Sequence, residues 1–156
     1  MGELDVTAMY GMHEALRWEV TRLARLTVQV GHDPRRVLRW RLFKQSLRCH
    51  FAAEDEALWP PLRRAMAHRP EALTLLEAVE AEHAALDELI DAIDEAPTHA
   101  DARPGGLGDL TDSLVTGLTG HLRHEEAAVL PLIRQALTPP QWAYFTHLHI
   151  RRSTPP

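Results

Sequence analysis

A single cysteine, Cys49, among 156 residues excludes an internal disulfide and leaves no set of thiolates from which to build a structural zinc site. Beside His50 it reads as a small buried hydrophobe. Basic charge is scarce too. The formal net charge is −5 with histidine counted as neutral, and the arginines are spread along the chain. No basic stripe exists to release phosphate counterions, so a nucleic-acid partner is not expected. No run approaches the roughly 18 apolar residues of a membrane-spanning helix. The opening MGELDVTAMYG lacks the basic and then apolar plan of a secretory leader, which makes the cytoplasm the expected location. Strand signals are nearly missing: alternation is rare, and β-branched runs never reach strand length.

What remains is the usage of a soluble globular protein, 45% hydrophobic and 25% charged, of a length that buries one core. The outlier is ten histidines.

The apolar spacing is helical. Met9, Met12, Leu16, Val20, Leu23 and Leu26 recur at three and four residue intervals until GHDP stops them. A second helical pattern covers 34–67, with Asp33 as cap and Pro34 in its first turn. A third covers 70–96, PTHADARPGGLG forms the longest loop, and a fourth covers 109–137. TPPQWAYFTHLHI reads as a short fifth helix capped by Thr138. Long helices with short connections predict an all-α, antiparallel up-down-up-down four-helix bundle. Pro60 and Pro131 fall inside helical patterns and should kink them.

The chain writes one motif twice. HFAAEDEALWPPL starts at His50 and HLRHEEAAVLPLI at His121, each with a glutamate four residues on and a proline ten residues on. Upstream, MYGMHEAL lies over AVEAEHAAL, placing His13 on His83. One domain built from two related helix pairs, 9–67 and 70–137, is the simplest account.

Equal residue counts on either side of a turn mean equal height in an antiparallel pair. His13 and His50 are centred on GHDP, and His83 and His121 on the long loop, so each pair is level. Across the bend between the second and third helices, the level partner of His83 falls close to Glu54. A His-x-x-x-Glu step turns about 40° and rises about 6 Å, so both side chains leave the same stripe. Four imidazoles and two carboxylates therefore converge at mid-height. Burying them costs several kcal/mol per carboxylate unless a cation compensates, so the candidate metal ligands are His13, His50, Glu54, His83, His121 and Glu125. Imidazole with carboxylate suits iron, manganese or zinc. Two ions fit this near two-fold set better than one, leaving open positions for an oxo or hydroxo bridge and a small exogenous molecule. A ferritin-like site would need Glu-x-x-His on two helices, and that motif occurs once, at Glu80 and His83.

The order His13, His50-x-x-x-Glu54, His83, His121-x-x-x-Glu125 resembles the hemerythrin family, the HHE cation-binding domain, over residues 9–137. The resemblance implies a non-haem di-iron centre in a four-helix bundle. His13 and His50 would bind one iron, His83 and His121 the other, with Glu54 and Glu125 as bridges. The oxygen carriers of that family have a second histidine four residues after the third-helix ligand, where this chain has Asp87, and an aspartate as the fourth-helix bridge. The departure points away from reversible oxygen carriage. It favours a protein that binds or reacts with oxygen, peroxide or nitric oxide, the alternative being an iron- or gas-sensing module without turnover.

Other residues carry weaker expectations. Asp87 is a possible extra ligand beside its ordinary reading as a solvated helix position. Asp55, Glu56 and Glu126 are candidates to hold imidazole N–H groups. Ser46 and Gly117, one turn before the paired histidines, either open a pocket or mark close packing. His124 flanks the ligand stripe, His32, His68 and His99 fall in turns, and His147 and His149 belong to the last helix. No side chain free of ligand duty stands out as a catalytic acid or base.

Overall fold

A computed structural model of the protein describes residues 4–27, 34–96 and 106–153. Among them there is no strand, and no helix is long and apolar enough to cross a membrane. The elements are α1 (Thr7–Thr27), α2 (Pro34–Ala57), α3 (Trp59–Ala65), α4 (Pro70–Glu95), α5 (Leu107–His124), a π turn (Glu125–Val129), α6 (Leu130–Ala136) and α7 (Pro139–Ser153). They form an all-α helical bundle in which α1 packs on α2 and α5, α4 on α5, and α7 along α2. Asp33, His32, His99 and most of both predicted loops lie outside the described residues.

Both prolines expected to kink helices coincide with a local interruption of the α-helix, each of a different kind. Leu58 separates α2 from α3, and Pro60 and Pro61, which lack N–H groups, fill the first turn that follows. In the fourth helical run the break is subtler. The chain widens into a π turn, and the Leu130 N–H reaches back five residues to the Glu125 carbonyl, immediately before Pro131. A proline leaves the carbonyl four residues before it without its usual donor, and a π turn is one way a helix absorbs that loss. The predicted helices over 34–67 and 109–137 thus each carry one local interruption, at Leu58 and at Glu125–Val129.

The last helix starts as the sequence indicates. The Thr138 hydroxyl accepts from the Gln141 N–H at 3.4 Å while the Gln141 side chain accepts from the Thr138 N–H at 2.9 Å, a reciprocal cap. Its Phe145 and Trp142 are buried.

Apolar residues fall into two clusters. One contains Met9, Leu58, Leu62, Leu76, Val79, Val129, Ile133 and Phe145. The other contains Leu16, Val20, Leu47, Phe51, Leu86, Leu118 and Leu122. Along each helix the division falls at the same place, with His13 between Met9 and Leu16 and His83 between Val79 and Leu86. A layer of buried polar side chains separates the two.

Candidate metal centre

Among the described residues, six of the seven buried polar or charged ones are the six predicted from the doubled motif: His13, His50, Glu54, His83, His121 and Glu125, none more than 5% exposed. The level-height rule holds. The rings of His13 and His50 are 5.3 Å apart, and those of His83 and His121 are 4.7 Å apart.

The carboxylates cross-link these pairs. Glu54 sets Oε1 at 3.2 Å from His50 Nε2 and Oε2 at 3.3 Å from His83 Nε2. Glu125 sets Oε2 at 3.3 Å from His13 Nε2 and Oε1 at 3.6 Å from His121 Nε2. Each carboxylate thus faces one imidazole of either pair. Two sets of potential donors emerge: His13, His50, Glu54 and Glu125, and then His83, His121 and Glu125.

These groups are poorly satisfied by the protein itself. His13 Nε2, both ring nitrogens of His50 and all four carboxylate oxygens of Glu54 and Glu125 are buried without a hydrogen-bond partner. Native interiors rarely leave buried polar atoms unpaired, because each costs about 1–3 kcal/mol. So many orphans aimed at one centre fit cations held between them, and the nitrogen and oxygen donor set fits iron, manganese or zinc.

Protons must hold the cluster together when cations do not. Burial and the charge of Glu125 push the Glu54 carboxyl up to about 8. Burial acts in the same direction on Glu125, but His13 and His83 beside its oxygens hold it well below the usual carboxylate range. At His83 the cost of burial is outweighed by Asp55, Glu125 and Glu54, which raise it to about 11. Burial, reinforced by the neighbouring His13, drives His50 far down, so that its ring is neutral. Metal ions would displace these protons.

A second layer of carboxylates orients the imidazoles. Glu126 meets His13 Nδ1 at 2.9 Å and is itself held by Arg17 at 2.7 Å. Asp55 lies 3.5 Å from His83 Nδ1, which has no hydrogen-bond partner. Both acids were expected in this role, and Glu126 alone of the two makes the hydrogen bond. Glu56 was expected to do the same and does not: it accepts from the Tyr144 hydroxyl at 3.0 Å and pairs with Arg152, tying α2 to α7. Its place is taken by Glu82, which the motif did not single out and which meets His121 Nδ1 at 2.8 Å and His124 Nδ1 at 2.7 Å. The height rule could have found it, since Glu82 is level with His121 to within one residue.

Asp87 does not join the site. It accepts from Arg48 at 3.0 Å on the bundle surface. Ser46 and Gly117 divide between their two readings. Ser46 lines a cavity that reaches His50, whereas a Cβ on Gly117 would stand 3.3 Å from Leu86 Cδ2, so that glycine marks close packing of α4 and α5. Cys49 donates to the Arg152 carbonyl at 3.2 Å. His149 gave no sequence signal, yet its ring sits 5.3 Å from that of His50. Phe51 stacks on His83 at 3.8 Å and closes that side of the centre.

Fold and site together define a helical bundle with a buried histidine and glutamate cluster able to hold metal ions. Residues 4–133 match the family model for the hemerythrin HHE cation binding domain, and the chain belongs to that family. No curated protein and no solved structure matches it.

Proposed function

We propose that the protein is a single hemerythrin-like domain, made of two related helix pairs, that holds two iron ions in the cytoplasm and binds or reacts with a small oxidant: dioxygen, peroxide or nitric oxide. His13 and His50 serve one ion, His83 and His121 the other, and Glu54 and Glu125 bridge them. The observation that carries this reading is the cross-link, in which each buried carboxylate offers its two oxygens to imidazoles of different pairs. Iron, when bound, supplies the electrons for chemistry with an oxidant. Zinc or manganese could occupy the same donors.

The chain supplies orientation and exclusion of water. Glu126 and Glu82 fix protons on His13 Nδ1 and His121 Nδ1, turning their Nε2 lone pairs inward. Phe51 and the two apolar clusters keep bulk solvent from the carboxylates.

Anaerobic loading with Fe(II) tests the proposal. About two irons per chain are expected, with visible charge-transfer absorption appearing on exposure to oxygen and lost in His50→Ala and Glu125→Ala. Repeated peroxide additions then separate turnover from binding alone. A colourless protein carrying one zinc, or no metal, would overturn the reading.

A further inference from the structure

The outer groove between α1 and α2 is covered by α7 over only part of its length. α7 packs along α2, and its Trp142 and Phe145 share one apolar cluster with Met9 of α1 and Ala53 and Ala57 of α2. Its last turn reaches the level of Cys49, whose thiol donates to the Arg152 carbonyl. On α2, the positions Ala57, Ala53, Cys49, Ser46, Leu42 and Arg39 follow one another at three and four residue steps, so they form one strip of the helix surface. In the half of the strip beside α7, Ala53 is 0% exposed; in the other half Leu42 is 52% exposed, and Leu38, one turn from it, 53%. The alanines are covered and the leucines stand open.

The open half is concave and encloses about 650 Å³. Leu16 and Phe43, both buried, line it at depth, Ala15 and Leu42 line its two sides, and His149 and Ser153 of α7 close one end. Arg22 and Arg39 stand at the other end, with Glu19 the acid among the lining residues. The excess of cations extends beyond the groove: residues 17–48 hold nine of the 17 basic residues of the chain and two of its 22 acidic ones. Such a region attracts anionic partners even though the chain as a whole is negative.

We propose that the open half of this groove docks an acidic amphipathic helix of a partner protein, laid end to end with α7. Arg22 lies seven residues from Ala15 on α1, and Arg39 seven from Ser46 on α2, so about two helical turns fit between α7 and the arginines. Such a helix sets its apolar stripe over Leu16, Leu42 and Phe43, as α7 sets Trp142 and Phe145 over the covered part, and turns its carboxylates to Arg22 and Arg39. The depth favours a helix over a lipid surface, because a flat bilayer does not reach the buried residues of the groove. A second copy of this chain is a poor occupant: its acidic helix, α4, already turns Asp87 and Asp91 to Arg48 and Asp94 to Lys44.

The probe is a fluorescein-labelled helical peptide of about three turns, with leucines at three and four residue spacing and glutamates on the opposite face, followed by anisotropy against the whole chain. It should bind at least about tenfold tighter than a lysine counterpart or a scrambled peptide of the same composition. Amide shifts in NMR spectra should gather at residues 11–22 and 38–46 and in the last turn of α7. Ala15→Trp, at an exposed position that lines the groove, should weaken the glutamate peptide by at least about tenfold, and Arg39→Glu should shift preference toward the lysine peptide. Far-UV circular dichroism should be unchanged in both variants. A glutamate peptide that binds no tighter than its counterparts, amide shifts that gather elsewhere, or binding untouched by Ala15→Trp would overturn the proposal. Binding to phosphatidylglycerol vesicles with none to the peptide would also overturn it, and would assign this face to a membrane.

Discussion

Glu82 stands one residue before His83 on α4, yet its carboxylate serves His121 and His124 across the helix interface. Truncating such an outer partner typically costs 10–100-fold in metal affinity. Glu82→Ala should therefore weaken metal binding by about that factor in a chelator competition, while Glu56→Ala, whose carboxylate faces Tyr144 and Arg152, should leave it unchanged. The six inner positions were legible because His-x-x-x-Glu fixes both side chains on one stripe and repeats. Of the outer partners, Glu126 was legible and Glu82 was not, because which acid reaches which imidazole depends on side-chain reach between helices, and Glu82, like Glu56, looks like an ordinary surface acid. The inner residues also set a pH dependence. Above pH 6.5, the ordinary histidine value, an unfolded chain has lost its histidine and carboxyl protons. The folded metal-free protein keeps them, on Glu54 up to about 8 and on His83 up to about 11, with His13 also shifted upward. The folded state then binds more protons, so its stability falls as pH rises from about 6.5 to 9. His50 and His121 are shifted down and act in the opposite sense only below that window. Thermal melts of metal-free protein across these pH values should show a declining Tm.

Among the elements, the π turn at Glu125–Val129 has the most to do with the site. It inserts one residue's worth of rotation between Glu125, which faces the centre, and Leu130 and Ile133, which pack in the apolar cluster below. A continuous α-helix would have to misplace one set or the other. Deleting the exposed Ala127 should restore ordinary helix. Far-UV circular dichroism should stay strongly helical while bound metal per chain falls; an unchanged metal content would show that the turn does not position Glu125. Pro131 announced a disturbance in the sequence, but not its kind, because a proline permits a break, as at Leu58, or a bulge. The packing of neighbouring helices selects between them. For α7 the cap was legible in Thr138, while its place beside His50 was not, since a helix sequence does not state which partner its buried face covers.

For the molecule as a whole, metal should act as a large stabiliser. Ions present at about 100 times their dissociation constant contribute about 2.7 kcal/mol, enough to raise Tm by about 5–10 °C in a chain of this size. The layered interior suggests how that stabilisation is distributed. Apolar packing is interrupted at mid-height by a sheet of buried polar groups, so without metal the two clusters share no continuous oily contact through the centre. Native-state hydrogen exchange should then resolve two cooperative units in the metal-free protein. The end built on Leu16, Val20, Leu47 and Leu118 should open at lower free energy than the end clamped by α3, α6 and α7. Adding metal should merge their exchange into one global event. The ions would act as a rivet through the waist of the bundle, turning two weakly linked folding units into one.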